Sequence, residues 1–118
     1  MSLDQHQQLK ARTKAFALRV IRMSEALPRT RAASIIDQQI LRSATSMAAN
    51  YRAAGRARSK AEFVSKLGIV IEEADETVFW LEMLAESGII KPNKLAEMMA
   101  EANQLLAIFS ASGKTARS

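Results

Sequence analysis

Apolar side chains return along this chain at alternating intervals of four and three, the spacing that lines one stripe of an α-helix. Over residues 4–26 and just beyond, the stripe is Leu9, Thr13, Phe16, Val20, Met23 and Leu27. Pro28 stops this segment, because a residue ahead of proline is pushed out of the α region. Residues 31–54 repeat the spacing with Ile36, Ile40, Ser43, Met47, Asn50 and Ala54, and Gly55 is a natural helix stop. Residues 60–87 give the longest pattern. Ser59 and Glu62 form a Ser-x-x-Glu capping box, and Phe63, Leu67, Val70, Ala74, Thr77, Leu81 and Leu84 hold the register as far as Gly88. Pro92 opens a fourth segment at a first-turn position, where its missing N–H costs nothing. Its inner face is Leu95, Met98, Ala102, Leu105 and Phe109, and the small polar residues from Ser110 onward read as a fraying tail.

Four amphipathic helices with short connections predict an all-α fold, an antiparallel up-down-up-down four-helix bundle. The expected domain covers residues 1–111, with a flexible tail at 112–118. A chain of 118 residues suffices for one compact domain and not for two, and two prolines and four glycines argue against a turn-rich β fold. No run approaches the ~18 apolar residues of a membrane span. The start, Met1-Ser2-Leu3-Asp4-Gln5, lacks the order of a secretion signal, so a cytoplasmic location is expected.

The third segment is more apolar than a monomeric bundle requires. Val64, Ile71, Val78 and Ala85 form a second line spaced by seven, and Ile69, Phe79, Trp80 and Met83 add further surface. A helix apolar over much of its circumference is buried on more than one side. Val78, Phe79, Trp80 and Met83 are therefore the expected homo-oligomer interface, with the lone tryptophan as anchor.

Charge divides the chain. Residues 1–60 carry twelve Lys and Arg against three Asp and Glu, whereas residues 61–118 carry five against nine. A basic surplus favours a polyanionic partner, since phosphates attract Lys and Arg and release counterions on binding. The densest cations are Arg52, Arg56, Arg58 and Lys60 around Gly55, with Arg42 further back. Lys10, Arg12, Lys14, Arg19 and Arg22 line the first segment. From these, Arg42, Arg52, Arg56, Arg58, Lys60, Arg12, Arg19 and Arg22 are the candidate nucleic-acid contacts. No aromatic residue interleaves with the basic turn, so contact by charge and shape is expected rather than base stacking. The acidic strip Glu72, Glu73, Asp75 and Glu76 is expected to form salt bridges, with Arg52 and Arg56 the obvious complement on the preceding helix or on a neighbouring subunit. The competing reading is a self-assembling structural protein whose basic and acidic helices pair across subunits.

Enzymatic and metal chemistry find little to stand on. Cysteine is absent, no Glu-x-x-His pair occurs, and the single histidine, His6, falls where the first helix is expected to fray. There is no Gly-rich phosphate loop and no nucleophile elbow. A non-enzymatic protein without metal or cofactor is expected. Ser43, Ser46 and Asn50 form a polar set on the inward side of the second helix. A buried amide must be hydrogen-bonded, so Asn50 is expected to fix helix register by bonding across the bundle.

The stretch from Gln39 to Ala54, with Arg42-Ser43-Ala44-Thr45-Ser46-Met47-Ala48-Ala49-Asn50 at its centre, is followed by Ser59-Lys60-Ala61-Glu62-Phe63 and Glu72-Glu73-Ala74-Asp75-Glu76-Thr77. Over about residues 8–110 this resembles the four-helix-bundle family of 23S rRNA intervening-sequence proteins, which includes the accessory variability determinant of diversity-generating retroelements. The resemblance implies a bundle that assembles into a ring, typically a pentamer. For the retroelement members it also implies a basic surface that engages nucleic acid and a reverse transcriptase. Arg42, Ser46 and Asn50 match the family's second-helix signature. Many relatives carry an acidic residue shortly after the asparagine, whereas Tyr51, Arg52, Ala53 and Ala54 follow here.

Overall fold

In a computed structural model, which describes residues 2–118, the chain folds as four helices and no strand. They are α1 (Leu3–Glu25), α2 (Arg31–Ala54), α3 (Lys60–Glu86) and α4 (Pro92–Arg117). Each packs on its sequence neighbour and α4 returns to α1, which makes the up-down-up-down bundle, 44 × 22 × 21 Å in extent.

Side-chain chemistry starts each helix where the sequence asks. The Ser2 hydroxyl accepts from the backbone N–H of Gln5 while the Gln5 side chain accepts from the Ser2 N–H, a reciprocal capping box that starts α1. Thr30 caps α2 and Ser59 caps α3 through their hydroxyls. Pro92 occupies the first turn of α4. Gly88, at φ 78°, supplies the left-handed residue that ends α3. Gly55 acts differently. Its φ of −66° is ordinary, but a Cβ there would lie 2.0 Å from His6 Nε2, so a side chain at this position would displace the His6 ring.

The core is the set of stripes read from the spacing. Phe16, Val20, Ile40, Met47, Leu67, Val70, Leu81, Leu84, Leu105 and Phe109 are almost wholly buried. Each such side chain stabilises the fold by roughly 1.5–3 kcal/mol relative to leaving it in water. Three expectations need correction. Asn50 is half-buried and does not cross the bundle: its amide donates to the Ser46 carbonyl at 2.9 Å and to the Ser46 hydroxyl at 3.1 Å, on its own helix. The inward place belongs to Tyr51, one residue on and 1% exposed. The second apolar line of α3 is only partly available to other copies, since Ile71, Val78 and Ala85 are half-buried and pack against this chain's own core. The small polar tail is helical. α4 continues to Arg117, and Gly113 is buried so closely that a Cβ would stand 3.1 Å from Ile71 Cδ1.

A fully buried polar contact between helices joins Ser43 of α2 to Thr77 of α3, their hydroxyl oxygens 2.8 Å apart. Ser43 also lies 3.3 Å from the Ile40 carbonyl and Thr77 2.8 Å from the Glu73 carbonyl, so each hydroxyl hydrogen has an acceptor. Thr77→Val is expected to cost about 1 kcal/mol, the net value of one buried hydrogen bond. Ser43→Ala added to it should cost less than the two single effects summed. Urea unfolding of the four-member cycle checks this; strict additivity would show that the hydroxyls do not interact.

Candidate nucleic-acid interface

One pole of the bundle gathers the start of α1, the end of α2, the start of α3 and the end of α4. His6 marks the α1–α2 junction. Its Nδ1 lies 3.0 Å from the Tyr51 hydroxyl, its ring centroid 4.9 Å from that of Tyr51, and Tyr51 in turn lies 5.0 Å from Phe109 of α4. The expected fraying is absent here, because His6 sits inside a capped helix and its ring fills the space over Gly55. Burial, and then Lys10, hold the imidazole below its ordinary pKa, and burial pushes the Tyr51 phenol up to about 12. On the far side Lys60 Nζ reaches the Ser118 carbonyl at 3.5 Å, joining α3 to the end of α4.

Arg52, Arg56, Arg58 and Lys60 are all exposed at this pole; among the described residues Arg52, Arg56 and Arg58 lie within ion-pair distance of no carboxylate side chain, and Lys60 is held by the Ser118 main-chain oxygen. The other candidate cations are placed elsewhere. Arg12 makes a two-toothed pair with Glu101 of α4, at 2.7 and 3.1 Å, and reaches Gln104 at 3.1 Å. Arg19 stands 4.0 Å from Glu97. Both bridge the α1–α4 seam. Arg22 is exposed, about 24 Å along α1 from His6 at ~1.5 Å per residue, towards the opposite pole. The eight candidates therefore do not form one surface.

Arg42 settles the partner of the acidic strip. Its guanidinium pairs with Glu73 at 3.0 Å and with Glu76, and its Nε donates to Gln39 at 3.3 Å. Arg52 and Arg56, the expected complement within the chain, make no such pair, while Glu72 and Asp75 stay exposed. Register explains the exchange. Ser43 is level with Thr77, which places Arg42 beside Glu73 and Glu76 and leaves Arg52 more than two turns further on. Burial raises the Glu76 carboxyl, but the Arg42 guanidinium outweighs it and holds the group below its ordinary pKa. Trp80, one turn on, lies close enough to favour charged Glu76, although its buried indole N–H makes no well-formed hydrogen bond.

Next to this clamp lies an apolar face. Ile35 precedes Arg42 by seven residues and Met83 follows Glu76 by seven, so the antiparallel pair brings them to one level. Ile35, Phe79 and Met83 are 53%, 48% and 39% exposed. Phe79 meets Trp80 edge-on at 4.9 Å, but Trp80 and Val78 are half-covered by this chain's own core. Among the described residues no three metal-ligating side chains converge, and no helix is long and apolar enough to cross a membrane.

The fold and its unpaired cationic pole define a basic four-helix bundle. Residues 5–111 match the family of 23S rRNA-intervening sequence proteins, and the chain belongs to that family. A similar solved structure is a protein of unknown function from the S23 ribosomal protein family of Bacteroides thetaiotaomicron. It is 30% identical, with a TM-score of 0.85 over 92% of this chain and 97% of that one. No curated protein matches.

Because the pKa of Glu76 is depressed on folding, its pairing stabilises the protein above the ordinary carboxylate range, and that stability is lost as pH falls through the folded value. Arg42→Gln is thus expected to lower the urea midpoint at pH 7 and to unfold alongside the parent once both are acidified below that range. A deficit that persists unchanged in acid would assign Arg42 a packing role instead.

Proposed function

We propose that this chain is a non-enzymatic nucleic-acid-binding bundle that works as a homo-oligomer and holds the phosphate backbone of RNA or DNA against its basic pole. The observation that carries this reading is the exposed cluster Arg52, Arg56, Arg58 and Lys60, whose three arginines have no carboxylate side-chain partner among the described residues. Such cations displace condensed counterions from a polyanion, which gives tight binding at low salt and little sequence preference. Tyr51, an aromatic residue beside them, is buried in the core and offers no ring to a base. The family's name links it to intervening sequences of 23S rRNA, so structured RNA is the first polyanion to test.

Arg12 and Arg42 leave the contact set in this reading, because carboxylates already hold them. Self-association uses the α2–α3 face, where Phe79 and Met83 stand exposed beside Ile35 and Trp80 forms the floor. A ring such as the pentamer implied by the resemblance sets several basic poles side by side and raises avidity without new contacts. The partner implied by the same resemblance is a reverse transcriptase or another nucleic-acid enzyme, to which the ring presents its bound strand.

A second reading has its own support. Glu72, Asp75, Glu82 and Glu86 are exposed on the outer side of α3 and unpaired among the described residues, so they are free to meet the basic pole of another copy. Salt separates the two. Replacing Arg52, Arg56 and Arg58 with Ala is expected to weaken binding of a structured RNA at least tenfold at low salt, with the oligomer intact by light scattering. No binding by the parent protein at low salt, or binding untouched by the triple replacement, would refute the nucleic-acid reading. Dissociation of the oligomer by that replacement would favour cross-subunit pairing. Phe79→Glu with Met83→Glu is expected to yield a folded monomer by light scattering and circular dichroism; an unchanged oligomer would place the interface elsewhere.

A further inference from the structure

The last turn of α4 was expected to fray, and residues 112–118 lie outside the stretch matched to the family. In the fold this turn is docked. Gly113 is buried against Ile71 of α3, and the Ser118 carbonyl accepts from Lys60, one of the cations of the basic pole. That docking carries Lys114 and Arg117 to the α3 side of the same pole, where both are exposed and neither is paired with a carboxylate among the described residues.

Cations in the last turn of a helix also complement its dipole, and this alone would account for their presence on a solvated end. Position is what adds to it. Gly113 lets α4 approach α3 closely, Arg117 folds back with Nη1 3.4 Å from where a Gly113 Cβ would stand, and Lys60 ties the end of the turn down. Two cations that would fan out from a frayed tail are held beside four that flank the α2–α3 turn. An extended array of fixed positive charge suits a polymer of regularly spaced phosphates better than a single anion.

We infer that the docked C-terminal turn of α4, through Lys114 and Arg117, is part of the phosphate-contacting surface and widens the basic pole from the α2–α3 turn onto α4. The inference rests on the nucleic-acid reading above and names further contacts for the same site. Its signature is in the salt dependence, because each lost phosphate contact lowers the slope of log K against log salt by ~0.7–0.9.

The test uses the full chain and a structured RNA hairpin over a salt series. Lys114→Ala with Arg117→Ala is expected to lower the slope by roughly 1.5, two contacts at the per-contact value. Lys91→Ala with Lys94→Ala removes the same charge from the first turn of the same helix, at the opposite pole, and is expected to leave the slope unchanged. Lys114→Ala alone, which does not disturb the Arg117–Gly113 contact, is expected to give about half the drop. An unchanged slope in the Lys114 and Arg117 variant, or an equal drop in both double variants, would overturn the inference. The nucleic-acid reading would survive that result provided the Arg52, Arg56 and Arg58 replacement still weakened binding. Failure of the parent protein to bind RNA at low salt would overturn both.

Discussion

The register between α2 and α3 governs where nearly every charge in this protein ends up. It is set by two apolar stripes that must face each other and by one buried hydroxyl pair, Ser43 with Thr77, in the middle of the seam. Apolar contacts alone tolerate a slip of one turn at modest cost, whereas a slip here also breaks the Ser43–Thr77 hydrogen bond and leaves each hydroxyl only the carbonyl of its own helix. Once that pair is aligned, Arg42 falls beside Glu73 and Glu76, and Arg52, Arg56 and Arg58 fall beyond the reach of those two carboxylates. The same constraint that builds the core thus separates neutralised cations from free ones.

The two ends of the α1–α4 seam show how little packing holds the closing face of the bundle. Clefts lie near Leu9, Phe63 and Ile108 at the basic pole and near Met23, Ile90 and Leu95 at the other. Between them Arg12 and Arg19 reach across to Glu101 and Glu97. The Arg19–Glu97 pair is exposed and contributes little to stability, whereas the two-toothed Arg12–Glu101 pair is half-buried. They do occupy two arginines, which is why the number of basic residues overstates the surface offered to a polyanion.

Much of the fold was legible because burial is periodic. The stripes from Leu9 to Val20, Ile36 to Ala54, Leu67 to Leu84 and Leu95 to Phe109 are the core, and Ser59, Pro28, Gly88 and Pro92 mark boundaries through local chemistry. The misplacements have physical causes. Asn50 and Tyr51 differ by one residue, and the strict four-three count put the amide inside when the larger ring, tied to His6, takes that place. Gly55 reads as a helix stop from its residue type, and the structure adds that the His6 ring occupies the space where its side chain would stand. The tail is small and polar, but its smallest residue, Gly113, lets the end of α4 pack closely on Ile71 of α3.

Sequence by itself determined the number of helices, their order, the buried faces and the presence of an excess of positive charge. Those properties depend on residues three, four or seven apart, which local geometry relates without knowledge of the rest of the chain. Tertiary structure alone decided which arginines are free, because pairing depends on the level at which distant helices meet. It also decided which part of the α3 surface is left over, since Val78 and Trp80 are half-covered by this chain while Phe79 and Met83 stand exposed. Finally it carried Lys114 and Arg117 to the pole of Lys60, a proximity between positions 58 residues apart at the Lys60–Ser118 contact that no periodicity encodes.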